Sequence, residues 1–432
     1  MKFITITYLI IVLFIHNVFL LNLQNQKLKK SISLSATEEL STIAILNSDF
    51  YTSSYENNLD SKNNESEEKI DSIRIELKKI DTNTNNNLVS LDNSKKNLKK
   101  VTLDSASENK LVNLKNYKNT QYIAILNVGS PEQQIPVILD SGSGNLFIIS
   151  TKCKKVSCSS HVQYDSLKSS SYKSLGLKVE VKFGSGQIVG EINEEKVSLA
   201  GLAVDNQRIG EIVDEKGDVF SEGYFSGILG FGFSSMSAYN STTYFENIKN
   251  LGLLKRNLLS FYYSIDENKS GEVMIGNVNK EKFVDKINYF KVTEKYYWTI
   301  SLKDVLYNNQ SLGLCEKGCK AIIDTGTSLI TGPTKDVDKL LNILPIQSNC
   351  KNYDITQDLT FIFENEEGTF EYSLEKNTYI QKNENDCRSL IVPLDLNNEH
   401  GPAWVFGNIF MKKYYTIFDL DNNSVGFSLA KH

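Results

Sequence analysis

The chain has 432 residues, with 47 Lys and Arg against 52 Asp and Glu, and a formal net charge of -5 at pH 7. This length allows roughly two or three domains, and the mild acidity provides no clustered basic surface for nucleic acid. The sequence contains neither H-E-x-x-H nor G-x-x-x-x-G-K-[ST], which excludes a zincin and a P-loop enzyme. Of the 4 histidines, His161 and His400 are the two away from the leader and the C-terminus, and neither stands beside a recognisable nucleophile motif. We therefore expect chemistry based on carboxylates.

The N-terminus begins with an apolar run at residues 3–22 that follows Lys2. A positive start and an apolar middle predict a secretory signal peptide over residues 1–22. The alternative is an uncleaved signal anchor, since about 20 apolar residues can span a bilayer. We therefore expect a protein of the secretory pathway, secreted or held in an acidic vesicle or vacuole, with transient membrane association through residues 3–22.

Residues 23–115 are rich in Asn, Lys, Ser, Glu and Asp, and every Gly, Pro and Cys of the chain falls at or after Gly129. Such a segment buries too little apolar surface to offset the entropy lost on ordering. It is interpreted as a low-complexity pro-segment, and a disordered arm is the alternative. The stretch 39–47 is the part of it that we expect to add a strand or helix to the folded body.

From Gln121 onward the pattern changes to short apolar runs separated by Gly and polar clusters, which predict strands. Examples are QYIAILNV, IPVILD, KVEVKF, KAIID and YYTIFD. The run KVEVKFGSGQIVGEI alternates apolar and polar residues around G-S-G and predicts a β-hairpin. Helical patterns are few, at 244–254 and 335–343. The body is therefore predicted to be mostly β and too long for a single sandwich.

Six cysteines form an even set behind the predicted signal peptide, which favours disulfides formed in an oxidising compartment. Their positions are Cys153, Cys158, Cys315, Cys319, Cys350 and Cys387. The two close pairs suggest small local loops and leave Cys350 to pair with Cys387, although spacing alone leaves other connectivities open. The alternative is a split zinc site made from the two close pairs.

An internal repeat is the strongest feature of the sequence. VILDSGS at 137–143 recurs as AIIDTGT at 321–327, and each copy is followed downstream by two apolar residues and a glycine, at 228–230 and 405–407. A single D-[ST]-G motif is common by chance. Two copies inside the same longer pattern predict two related units that each supply one aspartate.

Two aspartates brought into hydrogen-bonding distance cannot both ionise, so they share one proton and titrate as a coupled pair. One carboxyl group can then act as a general base on water while the protonated one polarises a carbonyl. This chemistry makes Asp140 and Asp324 the candidate catalytic residues. Neither a metal nor an organic cofactor is needed.

The residues after the two aspartates form matching sets, Ser141, Gly142 and Ser143 in the first copy and Thr325, Gly326 and Thr327 in the second. The glycine allows a sharp turn and a close approach of backbone to carboxylate. The second hydroxyl residue can hydrogen-bond the carboxylate, which favours the ionised form and an acidic working range. The first hydroxyl residue is expected to tie the two loops together.

This arrangement resembles the pepsin-like aspartic proteases (A1 type), and the resemblance extends from about Leu114 to Phe427. It rests on three stretches: NYKNTQYIAILNVGSPEQQIPVILDSGSGNLFIIS, AIIDTGTSLITGP and VFGNIFMKKYYTIFDLDNNSVGF. It implies a mostly β, bilobal fold of two related lobes with a few short helices, and a catalytic pair of Asp140 and Asp324. The spacing of the cysteines fits the three disulfides of the family. The Asn-rich and Lys-rich tracts resemble the parasite members called plasmepsins.

The resemblance also assigns residues around the cleft. The G-S-G hairpin corresponds to the flap that closes over substrate, with Phe183, Gly184, Ser185 and Gly186 at its tip. Residues similar to the apolar wall of the first substrate pocket are Phe220, Phe225 and Ile228, for which ordinary core packing is the alternative. Tyr297 and Trp298 are expected near the far side of the cleft, again with core packing as the alternative.

Two positions depart from the family pattern. Phe183 stands where the family usually has Tyr, and Phe147 stands where it usually has Trp. The usual hydroxyl and indole N–H form a hydrogen-bond chain that steadies the flap, and phenylalanine supplies neither donor. Because both partners are replaced together, no buried polar group is stranded.

We expect an aspartic endopeptidase, made as a zymogen, that cuts proteins or peptides at internal bonds with apolar side chains around the cut. The pro-segment would block the cleft or delay its assembly until low pH protonates the carboxylates that anchor it. The N-terminal catalytic lobe is predicted at 116–280 and the C-terminal lobe at 281–432, in a monomer. The alternative, suggested by the altered flap, is a catalytically impaired protein of the same fold that binds peptides.

Overall fold

The computed structural model describes residues 73–79, 111–117, 121–183, 186–217, 225–266, 271–384, 386–397 and 399–432. Several sequence predictions fall outside these ranges, namely the signal peptide, the stretch 39–47, Gly184, Ser185 and Phe220.

The N-terminal part of the described chain is built almost entirely from strands. In chain order they are β1 (Ile73–Lys79), β2 (Leu111–Tyr117), β3 (Gln121–Val128), β4 (Gln133–Asp140), β5 (Leu146–Ile149), β6 (Lys173–Phe183), β7 (Gly186–Leu199), β8 (Leu202–Gly217), β9 (Gly227–Gly230), β10 (Leu258–Tyr262) and β11 (Gly271–Ile275). The apolar runs that predicted strands at 121–128 and 135–140 fall within β3 and β4.

The C-terminal part is also mostly strands, of similar or shorter length. They are β12 (Asn288–Lys291), β13 (Glu294–Lys295), β14 (Trp298–Tyr307), β15 (Gln310–Ser311), β16 (Cys319–Ile323), β17 (Ile330–Gly332), β18 (Leu359–Asn365), β19 (Gly368–Leu374), β20 (Ile380–Lys382), β21 (Cys387–Ser389), β22 (Ile391–Pro393), β23 (Ala403–Phe406), β24 (Tyr414–Asp419) and β25 (Ser424–Leu429).

The helices are short and lie between strands. They are α1 (Val156–Ser159), α2 (Tyr244–Asn250), α3 (Thr334–Ile343), α4 (Lys376–Tyr379) and α5 (Asn408–Lys413), with 3-10 turns at Ser166–Lys168, Ser234–Met236 and Ala238–Asn240. A capping box starts α2, because Thr243 Oγ1 accepts from Glu246 N at 3.2 Å and Glu246 Oε2 accepts from Thr243 N at 3.2 Å. The prediction of a mostly β fold with few short helices is confirmed.

Two large sheets carry the two lobes. In the described chain a 14-stranded sheet runs in the order β12-β25-β24-β10-β11-β1-β2-β3-β4-β9-β5-β8-β7-β6, and a 9-stranded sheet has β19-β18-β14-β16-β23-β17-β22 as its path. The last two strands of the chain, β24 and β25, join the larger sheet through β10. The chain therefore returns to its N-terminal part after it has built the second lobe.

A strand inside the predicted low-complexity segment belongs to the large sheet. β1 pairs antiparallel with β11 and parallel with β2, and β2 pairs antiparallel with β3. The segment IRIELKK alternates apolar and charged residues, which is the period of a strand with one buried face. The sequence analysis expected a short element at 39–47 and did not identify this one.

Aromatic packing joins the two halves of the molecule. Phe261 and Phe418 meet edge to face with ring centroids 5.6 Å apart, and Trp298 lies 5.2 Å from Phe418 and 4.8 Å from Phe233. Trp298 Nε1 also donates to the carbonyl of Phe231 at 3.2 Å. Such contacts bury large apolar areas in fixed geometry, so they help to hold the two halves of the molecule together.

The three predicted disulfides are confirmed, as Cys153–Cys158, Cys315–Cys319 and Cys350–Cys387. The alternative of a zinc site made from the two close pairs is wrong, because those four sulfurs are bonded in pairs and supply no thiolate ligands.

Candidate active site

The internal repeat of the sequence becomes a repeated arrangement of three strands. In the first copy β9 lies between β4, to which it is parallel, and β5, to which it is antiparallel, with Asp140 opposite Gly230. In the second copy β23 lies between β16, parallel, and β17, antiparallel, with Ile323 opposite Phe406. Each aspartate therefore leaves the sheet at the same point of the same three-strand unit.

The glycine after each pair of apolar residues is required by this crossing. A Cβ on Gly407 would lie 2.1 Å from the carbonyl oxygen of Thr327 and 2.4 Å from that of Leu329, and one on Gly230 would lie 2.6 Å from the oxygen of Ser143. These contacts are far below van der Waals separation. The repeated glycine thus lets each aspartate-bearing loop cross its neighbouring strand.

Each carboxyl group accepts the same two hydrogen bonds. Gly142 N donates to Asp140 Oδ1 at 2.8 Å, and Ser143 Oγ donates to Asp140 Oδ2. In the other loop Gly326 N donates to Asp324 Oδ1 at 2.9 Å and the Thr327 hydroxyl donates to Oδ2 at 2.7 Å. Both carboxyl groups are therefore fixed in rotation as well as in position.

The first hydroxyl residue of each motif bridges the two loops. Ser141 N donates to Thr325 Oγ1 and Thr325 N donates to Ser141 Oγ, both at 2.9 Å. The same hydroxyls donate to backbone carbonyls of the opposite strand, Ser141 Oγ to Ile323 at 3.0 Å and Thr325 Oγ1 to Leu139 at 2.8 Å. This exchange is symmetric and buried, so the loops cannot separate without breaking four hydrogen bonds.

The bridged loops bring the aspartates together. A Cβ on Gly142 would lie 2.7 Å from Asp324 Oδ2 and 2.8 Å from Oδ1, so the carboxyl of the second loop rests against the backbone of the first. The two carboxyl groups also hydrogen-bond each other. The structure therefore juxtaposes the two residues that the sequence repeat singled out.

Burial and proximity set the protonation of the pair. Both aspartates are 0% exposed. Burial raises the pKa of Asp140 well above its ordinary value and the charge of Asp324 raises it further, against the hydrogen bonds from Ser143 and Gly142. Burial also raises the pKa of Asp324, against those from Thr327 and Gly326. The pair consequently keeps one shared proton over a range in which free aspartates are fully ionised.

Most of the chain is similar in sequence to known proteins. A family model described as eukaryotic aspartyl protease matches residues 121–430. Cathepsin D of Gallus gallus is 35% identical over 331 residues, which cover 73% of this chain and 82% of cathepsin D. Plasmepsin VI of Plasmodium berghei (strain Anka) is 34% identical over 338 residues, covering 73% of this chain and 76% of that protein. Pepsin A of Sus scrofa is 30% identical over 321 residues, covering 72% and 82%.

The chain belongs to the eukaryotic aspartyl proteases. The predicted pepsin-like fold and the predicted enzyme class, an aspartic-type endopeptidase that acts on proteins or peptides, are thereby confirmed. The protease is about as similar to plasmepsin VI as to cathepsin D, so its narrower resemblance to the plasmepsins stays a prediction.

An apolar cluster lines the N-terminal lobe of the protease beside the first loop. Phe147, Phe225 and Ile228 are buried in it together with Val181 and Ile188 from the predicted flap strands. The hairpin itself is formed by β6 and β7, which close with Phe183 opposite Gly186. The predicted wall residues Phe225 and Ile228 are therefore in one cluster with the flap.

On the other lobe, Tyr297 is buried against Met236, Ile322 and Val405. Burial raises the pKa of the Tyr297 hydroxyl, and the charges of Asp324 and Asp140 raise it further. Its neighbour Trp298 packs into the core against Phe418. Core packing is therefore confirmed for Trp298, and the position of Tyr297 at the cleft stays a prediction.

The sequence analysis missed Asn145, which follows the first motif. Its Oδ1 accepts from Ala238 N at 2.9 Å, and its backbone carbonyl accepts from Gly230 N at 2.9 Å. Asn145 thereby fastens the Asp140 loop to the turn at Ala238–Asn240. The one available signal was an Asn, a residue that favours loops, between the D-S-G-S-G stretch and the apolar run LFII.

Within the described part of the chain, none of the helices of the protease is long and apolar enough to cross a membrane.

Proposed function

We propose that Asp140 and Asp324 together activate a water molecule and hydrolyse internal peptide bonds. The observation that carries this proposal is the contact between two buried carboxyl groups, each held by a matching pair of donors. Such a pair shares one proton, and this gives a general base and a general acid at the same place.

The reaction balances with one proton on the pair. The ionised carboxylate takes a proton from water as the water oxygen bonds to the substrate carbonyl carbon, and the protonated carboxyl gives its proton to the carbonyl oxygen. The resulting diol then loses a hydroxyl proton to one carboxylate while the other carboxyl protonates the leaving nitrogen and the C–N bond breaks. Acid and amine leave, and the pair again holds one proton.

Apolar side chains are the proposed preference around the cut. The buried cluster of Phe147, Val181, Phe225 and Ile228 supports this preference, because it makes the part of the lobe beside the first loop apolar. Burial of an apolar substrate side chain there would contribute about 2 kcal/mol of binding.

The enzyme is proposed to be made as a zymogen, with residues 23–115 as its pro-segment. The pairing of β1 between β11 and β2 supports this proposal. Removal of residues 23–115 takes away β1 and the first five residues of β2, which leaves the edges of β11 and β3 unpaired. Conversion to the mature form therefore requires a rearrangement of the sheet. Low pH would favour this release by protonating carboxylates that hold the segment.

The location is proposed to be the secretory pathway, ending outside the cell or in an acidic vesicle or vacuole. The three disulfides support it, since they form in oxidising compartments. Signal-peptide cleavage after about residue 22, transient membrane association through residues 3–22 and a monomeric mature enzyme belong to the same proposal.

Acid proteolysis tests the catalytic assignment. Processed wild type should cleave an unstructured polypeptide between about pH 4 and pH 6, and Asp140→Asn should abolish cleavage. Asp419→Asn is the matched control, because Asp419 is also a buried aspartate that accepts two hydrogen bonds, both from Asn422. A protein that binds the polypeptide without cutting it would contradict the proposal and favour the impaired peptide-binding alternative.

The zymogen is tested separately, with full-length protein shifted from neutral to acid pH and followed by N-terminal sequencing. We expect activity to appear together with the loss of residues 1–115. Full activity of the intact chain at the start of the shift would contradict the proposed role of the segment.

A further inference from the structure

The flap hairpin of this protease is fastened from its side by a tyrosine outside the hairpin. Tyr239, in the 3-10 turn Ala238–Asn240, donates its hydroxyl to the backbone carbonyl of Lys178. Lys178 lies midway along β6, and β6 is the last strand in the order of the large sheet. A terminal strand has an outer edge without a strand partner, so a side chain can reach a carbonyl of β6.

Tyr239 is itself held on three sides. Its backbone has φ of 56°, the left-handed region that is strained for a residue with a Cβ. Its carbonyl accepts from Arg208 Nη1 at 3.1 Å, and the preceding N–H, of Ala238, donates to Asn145 Oδ1 at 2.9 Å. The ring is half-buried against the apolar cluster that contains Phe147 and Val181. The hydroxyl is thus aimed at β6 by a fixed frame.

This frame reaches the catalytic loop. Asn145 lies in the loop that follows Asp140, and a Cβ on Gly144 would lie 2.9 Å from Met236 Cγ and 3.0 Å from the carbonyl of Phe233, so the segment 233–238 packs on that loop. The path from the catalytic loop through Ala238 and Tyr239 to Lys178 is therefore continuous and short.

The anchor also supplies what the flap lacks. Phe183 and Phe147 have no hydroxyl and no indole N–H, so neither can donate the hydrogen bond that a Tyr and a Trp at these positions would provide. Pairing with β8 holds β7 along its length, up to Gly186 opposite Gly217, whereas the outer edge of β6 has no strand partner in the described sheet. The hydrogen bond at Lys178 holds that outer edge.

We propose that Tyr239 is a positioning residue for the flap, and that its hydrogen bond to Lys178 sets the height of the hairpin over the catalytic pair. The hydrogen bond holds the hairpin close to its substrate-bound position. The hairpin therefore loses less conformational freedom when substrate binds. The inference rests on the proposed function for its kinetic consequence, whereas its structural consequence does not depend on activity.

The test compares Tyr239→Phe with Tyr414→Phe. Tyr414 also donates its hydroxyl to a backbone carbonyl, that of Ser373 at 2.7 Å, in the other lobe. We expect Tyr239→Phe to raise KM for a peptide substrate by about threefold to tenfold, the value of one neutral hydrogen bond, and to leave kcat within about twofold. Tyr414→Phe should change neither constant, although both variants lower the unfolding midpoint.

Amide hydrogen exchange gives a second readout without catalysis. Backbone amides of 178–183 should exchange about threefold to tenfold faster in Tyr239→Phe than in wild type, and at the wild-type rate in Tyr414→Phe. Arg208→Gln, which keeps the tyrosine and removes the donor to its carbonyl, should give a smaller acceleration at the same amides.

The inference is overturned if hairpin exchange and KM in Tyr239→Phe match those in Tyr414→Phe, since the hydroxyl would then be one structural bond among others. A wild type that cleaves nothing would refute the proposed function instead, and faster exchange in Tyr239→Phe would still support the anchor.

Discussion

In the loop of Asp140, an N–H and a hydroxyl donate to the carboxyl group while a second hydroxyl reaches across to the other lobe, and the loop of Asp324 repeats every one of these bonds. The walls above these loops are built differently. The N-terminal wall is a hairpin anchored through Tyr239 at Lys178.

What we call the C-terminal wall is the described residues 394–397 and 399–402 between β22 and β23, held by an ionic cluster. His400 Nδ1 lies 2.7 Å from Glu294 Oε1, and Lys320 Nζ donates to Glu294 Oε2 at 2.7 Å. The His400 ring stacks on Tyr296 with centroids 3.8 Å apart. Shared protonation requires two equivalent carboxyl groups but does not require the two walls to be alike. Symmetry is therefore confined to the two aspartate loops, which we call the floor, and variants of the floor and of the walls test that division.

Alanine at either of the repeated glycines should have the largest effect on stability and activity, because the new Cβ would be crowded. Gly407→Ala places a Cβ against two backbone carbonyls at 2.1 and 2.4 Å, so the Asp324 loop must shift. We expect the free energy of unfolding to fall by about 3 kcal/mol and most of the activity to be lost. Gly230→Ala should behave alike in the other loop, because its nearest contact is 2.6 Å.

The control for the glycines is Gly318→Ala, where φ is +78° but open space surrounds the new Cβ. It should cost about 1 kcal/mol from backbone strain and leave kcat unchanged. Denaturant unfolding and peptide cleavage measure both quantities. If one of the two site glycines tolerated alanine, the floor would be less symmetric than its hydrogen bonds indicate.

Removal of the hydroxyl groups that bridge the two aspartate loops should have the second-largest effect on stability and activity. Ser141→Ala and Thr325→Val each leave one N–H and one carbonyl of the opposite loop unpaired in a buried place. We expect each to lower the free energy of unfolding by about 2–4 kcal/mol and to lower kcat by similar factors. Ser260→Ala, which removes another fully buried serine hydroxyl, should destabilise without lowering kcat.

The protonation of the pair predicts a pH dependence of stability. A carboxyl group whose folded pKa is raised contributes stability that is fully present below its unfolded pKa, about 3.9, and is lost as pH rises through the folded value. The raised pKa of Asp140 and of Asp324 therefore makes wild type less stable toward neutral pH.

Asp140→Asn removes one partner of the coupled charge, so its unfolding midpoint should fall less between about pH 4 and about pH 8 than that of wild type. Asp324→Asn should flatten the curve in the same direction, while Ser260→Ala, which removes no titratable group, should keep the wild-type slope. Thermal unfolding over this pH range is the measurement. A wild-type slope in either dyad variant would show that the pair is not the source of the dependence.

The floor could be predicted from the sequence because its chemistry requires particular residue types at a fixed spacing. The motifs D-S-G-S and D-T-G-T identified both carboxyl groups, the hydroxyls that contact them and the glycines between them. The strand β1 carried a signal in the alternation of IRIELKK, which the polar composition around it obscured.

The contacts that hold the two walls could not be predicted from the sequence in the same way. Tyr239 meets Lys178 across 61 residues and His400 meets Glu294 across 106, and neither pair belongs to a local pattern. Such contacts depend on where the sheets place the loops, which periodicity and spacing do not encode. The sequence indicated the missing donors at Phe183 and Phe147 but not the hydroxyl that anchors the hairpin.

The smallest effect is expected at the C-terminal wall. Partial burial raises the pKa of Glu294, but hydrogen bonds and charge from Lys320 and His400 outweigh it and hold that pKa below the ordinary value. A lowered pKa contributes stability above the unfolded value of about 4.3, and this is lost as pH falls through the folded pKa. Glu294→Gln should therefore cost less than about 1 kcal/mol near pH 6, since the cluster is partly solvated, and nothing in strong acid.

The matched control is Glu367→Gln, because Glu367 pairs with Lys286 at 3.2 Å with both side chains exposed and should show no measurable loss. Unfolding curves near pH 6 and in strong acid test stability, and steady-state cleavage tests function. Glu294→Gln should keep kcat within about twofold because it leaves every donor to Asp140 and Asp324 in place. A fall in kcat comparable to that of Ser141→Ala would mean that the wall positions the catalytic pair, and the division between a symmetric floor and independent walls would be wrong.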